Sequence, residues 1–538
     1  MTYRTLCATL MSLALVACSE PAPEAETSQD QTQINLTSFK QDVKTLASDE
    51  FLGRGPLTEG ETLTIEYLAK RYQEMGIAGA VNGDYFQPVE IAQITPDPAM
   101  SLTIGDIQLT AGEQFTARTE QLREQIQLNN SEVVFLGYGI DAPEYNWNDF
   151  ADVDVTGKTI IVLVNDPGYA TQNDDLFTGN AMTYYGRWTY KYEEGARKGA
   201  DAVFIVHETA PAAYPWSVVE SSNTGSKYTL IDDEKNASRV PIMGWLDLAS
   251  AEAIFAQAGL DYHSEKARAL TPEFTPVALK SKANLTLNNS IHIAQSQNVV
   301  AEIKGSEKPN EYIVIGAHWD HFGSRETPEG LEIYNGAIDN AAGVAAKLEM
   351  ARLLMAMHQQ KPFKRSILFA DFTAEETGLI GSEHLARGGI VDPAQMVALL
   401  NIDGMNVLEA TDYVLQYGKD MSEMEDYLAA AAAAQGRVIK MDPRPENGLF
   451  FRSDHLSFAK QGVPSILFMN LGDSDPEYIS HRYHKVSDDY SPDWPLAGVK
   501  QDIELMTAIA VELANNDDWP AWKADSDFKK RRAQDRPE

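Results

Sequence analysis

From about residue 295 onward, short apolar runs alternate with segments of helical period. The runs "NVVAEI", "YIVIGAH", "SILFADF", "VALLNID", "DYVLQY" and "PSILFMN" read as strands. Segments such as "NAAGVAAKLEMARLLMAMHQQ" place apolar residues at three-and-four spacing and read as helices between them. Continuous apolar strands alternating with helices predict an α/β fold: a mostly parallel, mixed sheet with helices on both faces.

Two earlier stretches have other patterns. From Leu36 the chain turns helical, and "IEYLAKRYQEMGI" ends near Gly76. Between residues 131 and 275, "SEVVFLGYGI", "KTIIVLVND" and "ADAVFIVHE" are short β-branched and aromatic runs, with "KYEEGARKGA" helical between two of them. "VPIMGWLDLASAEAIFAQAGL" adds a strand and a helix. These predict a small β-rich domain inserted into a larger one. The expected division is a catalytic domain in two parts, 36–130 and 276–538, around the insertion at 131–275.

The opening "MTYRTLCATLMSLALVAC" has a positive residue, Arg4, before an apolar stretch too short to span a bilayer. Its end, Leu15-Val16-Ala17-Cys18, resembles the lipobox of bacterial lipoproteins, which are cut before the cysteine and lipidated on it. Residues 1–18 are therefore expected to be a lipoprotein signal. Residues 19–35, acidic and rich in Pro, Ser, Thr and Gln, are expected to be a disordered tether. No later apolar run is long enough to span a membrane.

Composition narrows the function. A net charge of −35, from 44 basic and 79 acidic residues, disfavours nucleic acid and anionic membrane surfaces as partners. Membrane contact is then expected only through Cys18. The only cysteines are Cys7 and Cys18, so the exported chain would have neither an internal disulfide nor a cysteine-based zinc site.

The candidate chemistry gathers where apolar runs end. His318, Asp320 and His321 close one strand; positions i and i+2 share a strand face, so His318 and Asp320 can point together. A metal-bound imidazole usually gives its other N–H to a carboxylate or carbonyl, and Asp320 is a candidate for that role. Asp339 stands where a loop becomes a helix, with Asn340 at a capping position and Gly343 in the first turn. Glu375 and Glu376 follow "SILFADF"; acidic residues suit a helix N-terminus, but strand ends are also where α/β folds bind ligands. Asp403 follows "VALLNI", and "HRYHKVSDD" supplies His481, His484, Asp488 and Asp489. So many carboxylates beside histidines would repel strongly without cations, and a mixed His/carboxylate set suits zinc better than magnesium or calcium.

In order and spacing, "GAHWDH", "AIDNAAG", "TAEETGLIGSEHL", "NIDGMN" and "YHKVSDD" resemble the motif series of the di-zinc aminopeptidases of metallopeptidase clan MH. "GYGIDAPEYNWNDFADVDVTGKTIIVLV" resembles a protease-associated (PA) domain. The resemblance implies the zinc exopeptidase fold and two zinc ions. His318 would bind one zinc, with Asp320 orienting it. Asp339 would bridge both metals, Glu376 would ligate one, Asp403 would complete the first site and His484 the second. Glu375 would be the general base, taking a proton from the attacking water and returning it to the leaving amine. "FFRSDHLSFAKQGVPSILF" also resembles a family segment, which makes Ser453, Asp454 and His455 candidates for supporting the site or lining the substrate. Tyr483 is a candidate contact for the tetrahedral intermediate. The implied activity is an exported, lipid-anchored exopeptidase acting on peptides, foremost an aminopeptidase. Rival readings are a carboxypeptidase or dipeptidase of the same clan, a glutaminyl cyclase with one zinc, and a non-catalytic receptor-like binding protein. The complete ligand set weighs against the last two.

A Cys18→Ala variant is expected to lose lipid labelling and to fractionate away from membranes. Unchanged labelling and membrane retention would remove the lipobox from the argument.

Overall fold

The computed structural model describes residues 1, 32–469, 476–523, 526, 528, 529, 531 and 532. The proposed lipobox at Cys18 and most of the tether lie outside the described residues. No helix among the described residues is long and apolar enough to cross a membrane.

The apolar runs of the second half form the expected mixed sheet. Strands Lys308–His318, Arg365–Phe372, Met396–Ile402 and Ser465–Phe468 are parallel neighbours. Lys308–His318 lies between Arg365–Phe372 and Met396–Ile402, so the chain steps to one side of it and then crosses to the other. That reversal leaves a crevice at the C-terminal strand ends. Strand alternation divides the apolar side chains between two faces. Ile313, Ile315, Ile367 and Phe369 pack with helices Leu36–Leu46, Gly343–Gln360 and Ala497–Asn515. Val314, Leu368, Ala370 and Phe372 pack on the opposite face with Leu385 and Phe458. Burial on both faces is why these strands read as unbroken apolar runs.

The segment "DYVLQY" departs from expectation. Tyr413–Gln416 pairs only with Val438–Met441, in a separate parallel pair. Its local pattern matches a central strand, but the pattern of one segment does not say which strand it pairs with, and here the partner is the next strand along the chain.

The inserted region also takes in more chain than 131–275. Parallel strands Gln125–Phe135, Thr159–Leu163, Ala202–Val206 and Ile242–Leu246 form its centre. Ser101–Ile104, Ile107–Thr110 and Phe115–Arg118 join the same sheet from upstream. Downstream, one 27-residue strand, Val277–Ile303, pairs with Gln125–Phe135 in its first half and with Phe86–Pro96 and Arg365–Phe372 further along. The two units therefore share a strand, and the break expected at residue 276 is not a break in structure.

Helix Gly343–Gln360 is fixed to the sheet by a buried ion pair. Lys347 Nζ lies 2.5 Å from Asp371 Oδ1, with both side chains fully buried. Lys347 also donates to the Ala370 carbonyl, and the Tyr72 hydroxyl donates to Asp371 Oδ2. Removing one partner strands a charge in the interior. Lys347→Met is expected to cost about 3–5 kcal/mol in denaturant unfolding. A loss below about 1 kcal/mol would mean that Asp371 is not carried as a buried charge.

Candidate active site

Every predicted ligand sits at the strand-end crevice. His318 is the last residue of its strand, and Asp403 follows the strand Met396–Ile402. His318 Nδ1 lies 3.1 Å from the backbone carbonyl of Asp320. Donation there leaves Nε2 as the free acceptor, aimed into the site without a hydrogen-bond partner. This Nε2 lies 3.4 Å from Asp339 Oδ1 and 3.5 Å from Asp403 Oδ1. The other oxygen of Asp339 faces a second group: His484 Nε2 is 3.2 Å from Asp339 Oδ2 and 3.3 Å from Glu376 Oε2. Asp339 thus gives one oxygen to each of two clusters.

The donor set fits metal ions. Ligand atoms of His318, Asp339 and Asp403 lie within 4.8 Å of one another, as do those of His321, Asp339 and Glu376. Burial pulls the His318 imidazole down, but Glu375, Asp339 and Asp403 outweigh it and hold its pKa well above the ordinary value. His484 is likewise opposed by burial, yet Glu376, Asp339 and Asp403 raise it to about 9. Burial pushes Glu375 well above the usual carboxylate range, and the charges of Asp403, Glu376 and Asp454 add to it against the pull of His318. These opposed shifts describe crowded carboxylates drawing on any cation within reach. Metal ions supply that charge without protons.

Glu375 and Glu376 do not start a helix. They lie in a turn, and the next helix begins at Ile380. Dipole stabilisation fades beyond the first turn, so helix capping does not explain them. The turn is held by the Glu375 N–H, which donates to Asp320 Oδ1 at 3.0 Å. That bond revises the role expected of Asp320. Its carboxylate is 3.8 Å from His318 Nδ1, beyond hydrogen-bond reach, while its backbone oxygen meets the imidazole. The carboxylate positions the glutamate turn instead. Burial raises its pKa to about 7.

Asn340 is not a helix cap either. Its Nδ2 donates to the Ile402 carbonyl and its Oδ1 accepts from the Gly404 N–H, tying the Asp339 loop to both sides of Asp403. The helix proper starts at Gly343, where a Cβ would meet Asn340 Oδ1 at 1.9 Å. The Asp339–Asn340 peptide is cis.

The remaining candidates divide. Ser453 Oγ accepts from Asn401 Nδ2 at 2.8 Å, two residues before Asp403. Asp454 is buried with both oxygens unpartnered, and burial raises its pKa to about 7 although His318 opposes it. His455 is buried against the Phe450 ring at 4.7 Å, and burial holds its pKa at about 3. It is neutral and belongs to neither cluster, so it supports packing. Tyr483 stacks on the His484 ring at 3.7 Å, fixing that imidazole. His481 is exposed and bonds Ser480 Oγ, away from the clusters.

Three residues near the site carry parts that local pattern did not assign. His321 is buried, with Nδ1 2.5 Å from Glu376 Oε1. Asp488 accepts from the N–H groups of Ile338 and Asp339 and from the Tyr478 hydroxyl. Fully buried Arg54 donates to the carbonyls of Leu46, Trp319, Asn335 and Gly336, joining the opening helix to both ligand loops. Only the adjacency of His321 to "HWD" and of Asp488 to His484 signalled these roles; Arg54 had no signal.

Residues 298–508 match the model of Peptidase family M28. A "Probable zinc metalloprotease" of Pyrenophora teres f. teres is 33% identical over 155 residues, 27% of this chain and 32% of that protein. "Aminopeptidase NAALADL1" of Mus musculus is 30% identical over 126 residues, 23% of this chain and 15% of that protein. The chain thus spans about a third or less of the length of these curated relatives. Among solved structures, "Aminopeptidase from Aneurinibacillus sp. strain AM-1" covers 92% of this chain and 97% of its own, with a TM-score of 0.50 at 19% identity, a likeness of fold. With the ligand clusters at the strand ends, residues 298–508 are similar to Peptidase family M28, and the chain shares the fold of a solved aminopeptidase.

Proposed function

We propose that the chain is a di-zinc aminopeptidase, exported and anchored through Cys18, that removes N-terminal residues from peptides. The observation that carries the two-ion reading is the division of Asp339, with Oδ1 facing His318 and Oδ2 facing His484. His318, Asp339 and Asp403 would hold one ion; Asp339, Glu376 and His484 would hold the other. When bound, zinc acidifies water and polarises a carbonyl. Glu375 takes the proton of the attacking water and passes it to the leaving amine, as a half-buried carboxylate of raised pKa is suited to do. Asp320 holds Glu375 in place through its backbone N–H. Residues 131–275 are assigned as the core of a PA-like accessory unit on the likeness of their motif.

The two glutamates are expected to fail differently. Glu375→Gln keeps the volume but loses the base; metal content should stay and kcat should fall by about 10²–10⁴-fold. Glu376→Gln weakens a ligand; zinc occupancy should fall first, and added zinc should restore part of the activity. Metal analysis beside steady-state kinetics separates them, and loss of zinc from Glu375→Gln alone would reverse the assignment.

Exopeptidase direction is tested by blocking one end. Acetylating the N-terminus of a good peptide is expected to reduce turnover strongly. Equal cleavage of blocked and free peptides would favour the carboxypeptidase reading.

A further inference from the structure

The turn Tyr184–Gly186 of the inserted unit docks on the loop that leads into Ser453 and Asp454. The Met182 N–H donates to the Pro445 carbonyl at 3.1 Å, and the Tyr184 ring lies 5.9 Å from Phe451. Charged side chains across this seam are matched: Lys460 Nζ lies 2.7 Å from Glu193 Oε1.

Two cations break that rule. Arg187 follows the docking turn and Arg452 follows Phe451, so the two residues stand on opposite sides of the seam, near enough for the charge of Arg452 to act on Arg187. Each has a buried Nε without a hydrogen-bond partner, and neither forms an ion pair with a described carboxylate. Arg187 is only 7% exposed, with its guanidinium 5.7 Å from the Trp188 ring centre. Burial lowers its pKa to about 9, and the charge of Arg452 adds to that. Arg452 is partly exposed and stands on the solvent side of the pair. In a chain with 79 acidic and 44 basic residues, carboxylates for pairing are abundant. Burying like charges together without one is costly. Buried Arg54, by contrast, has its donors spread over four carbonyls.

We propose that Arg187 and Arg452 form a receptor for a carboxylate group of the peptide substrate. The inference rests on the peptidase reading above. The guanidinium fork matches a carboxylate with two parallel hydrogen bonds, which ammonium does not. The position suits substrate: Arg452 adjoins Ser453, which Asn401 ties to the strand that ends at Asp403. The carboxylate is either the peptide's C-terminus, which would favour short peptides, or an acidic side chain.

Kinetics on two pairs of peptides test this and separate the sources. One pair differs in a free or amidated C-terminus; the other, amidated throughout, differs in Glu or Gln after the first residue. Neutralising the carboxylate should lower kcat/KM by about tenfold or more in at least one pair. Arg187→Met and Arg452→Met should each bring that ratio close to one. Cleavage of all four peptides at similar rates by the unmodified protein would overturn the proposal. If no peptide is cleaved, the peptidase reading fails, and calorimetric titration of the zinc-loaded chain with glutarate decides the site. Saturable binding lost in both variants supports it; binding that is absent or unchanged overturns it. Melting temperature guards against a folding artefact. Removing an unpaired buried charge should leave it level or raised; a lowered value with an unchanged peptide ratio would make the arginines structural and overturn the proposal.

Discussion

The organising constraint is charge crowding at one edge of a parallel sheet. Asp320, Asp339, Asp403, Asp454 and Asp488 are buried there, with Glu375 and Glu376 half-buried beside them. Like charges at such range in a poorly solvated site repel by several kcal/mol per pair. Fully buried Arg54 offsets part of this, its charge acting on Asp320, Asp488, Asp339 and Glu376. The protein places three imidazoles, of His318, His321 and His484, and an aspartate shared between the two clusters so that the remaining surplus is open to cations. The surrounding architecture keeps that unfavourable arrangement from relaxing.

Much of it acts through backbone. Arg54 links the first helix to two ligand loops through carbonyls, Asp488 grips two N–H groups at Asp339, and Asn340 holds the Asp403 strand end. Asp320 fixes the N–H of Glu375. Such bonds orient the side chains without occupying the atoms that face the site. The Nε2 of His318 is left unpartnered.

The ligand positions were legible because buried parallel strands are continuous apolar runs, and a charge directly after one is conspicuous. His318, Asp403 and the Glu375–Glu376 turn all announce themselves in this way. Asp320 was located correctly, but its partner was not, since a sequence does not say whether a side chain or its own carbonyl meets the imidazole. Arg54 was invisible for the same reason: its partners are carbonyls, some over 260 positions away. The strand Val277–Ile303 was legible only at its end, in the run "NVVAEI"; its earlier alternation, in "ALKSKANLTL", is half-exposed and has no such apolar run. Its length across the expected boundary hid the true extent of the inserted unit. Taken alone, the glutamate pair favoured a helix start; the motif series favoured a site turn, and the helix start at Ile380 agrees with a turn.

The shared strand has a mechanical consequence. Domains joined by flexible linkers close on ligands by rotating at a hinge, where a few residues absorb the change. Here the hydrogen-bond ladder of one sheet runs on into the other along Val277–Ile303. Rotation at that junction would shear ladder bonds rather than turn a loop. Strain in one sheet is therefore passed along the strand to the other, and the orientation of the two units is part of the sheet itself rather than a property of a linker.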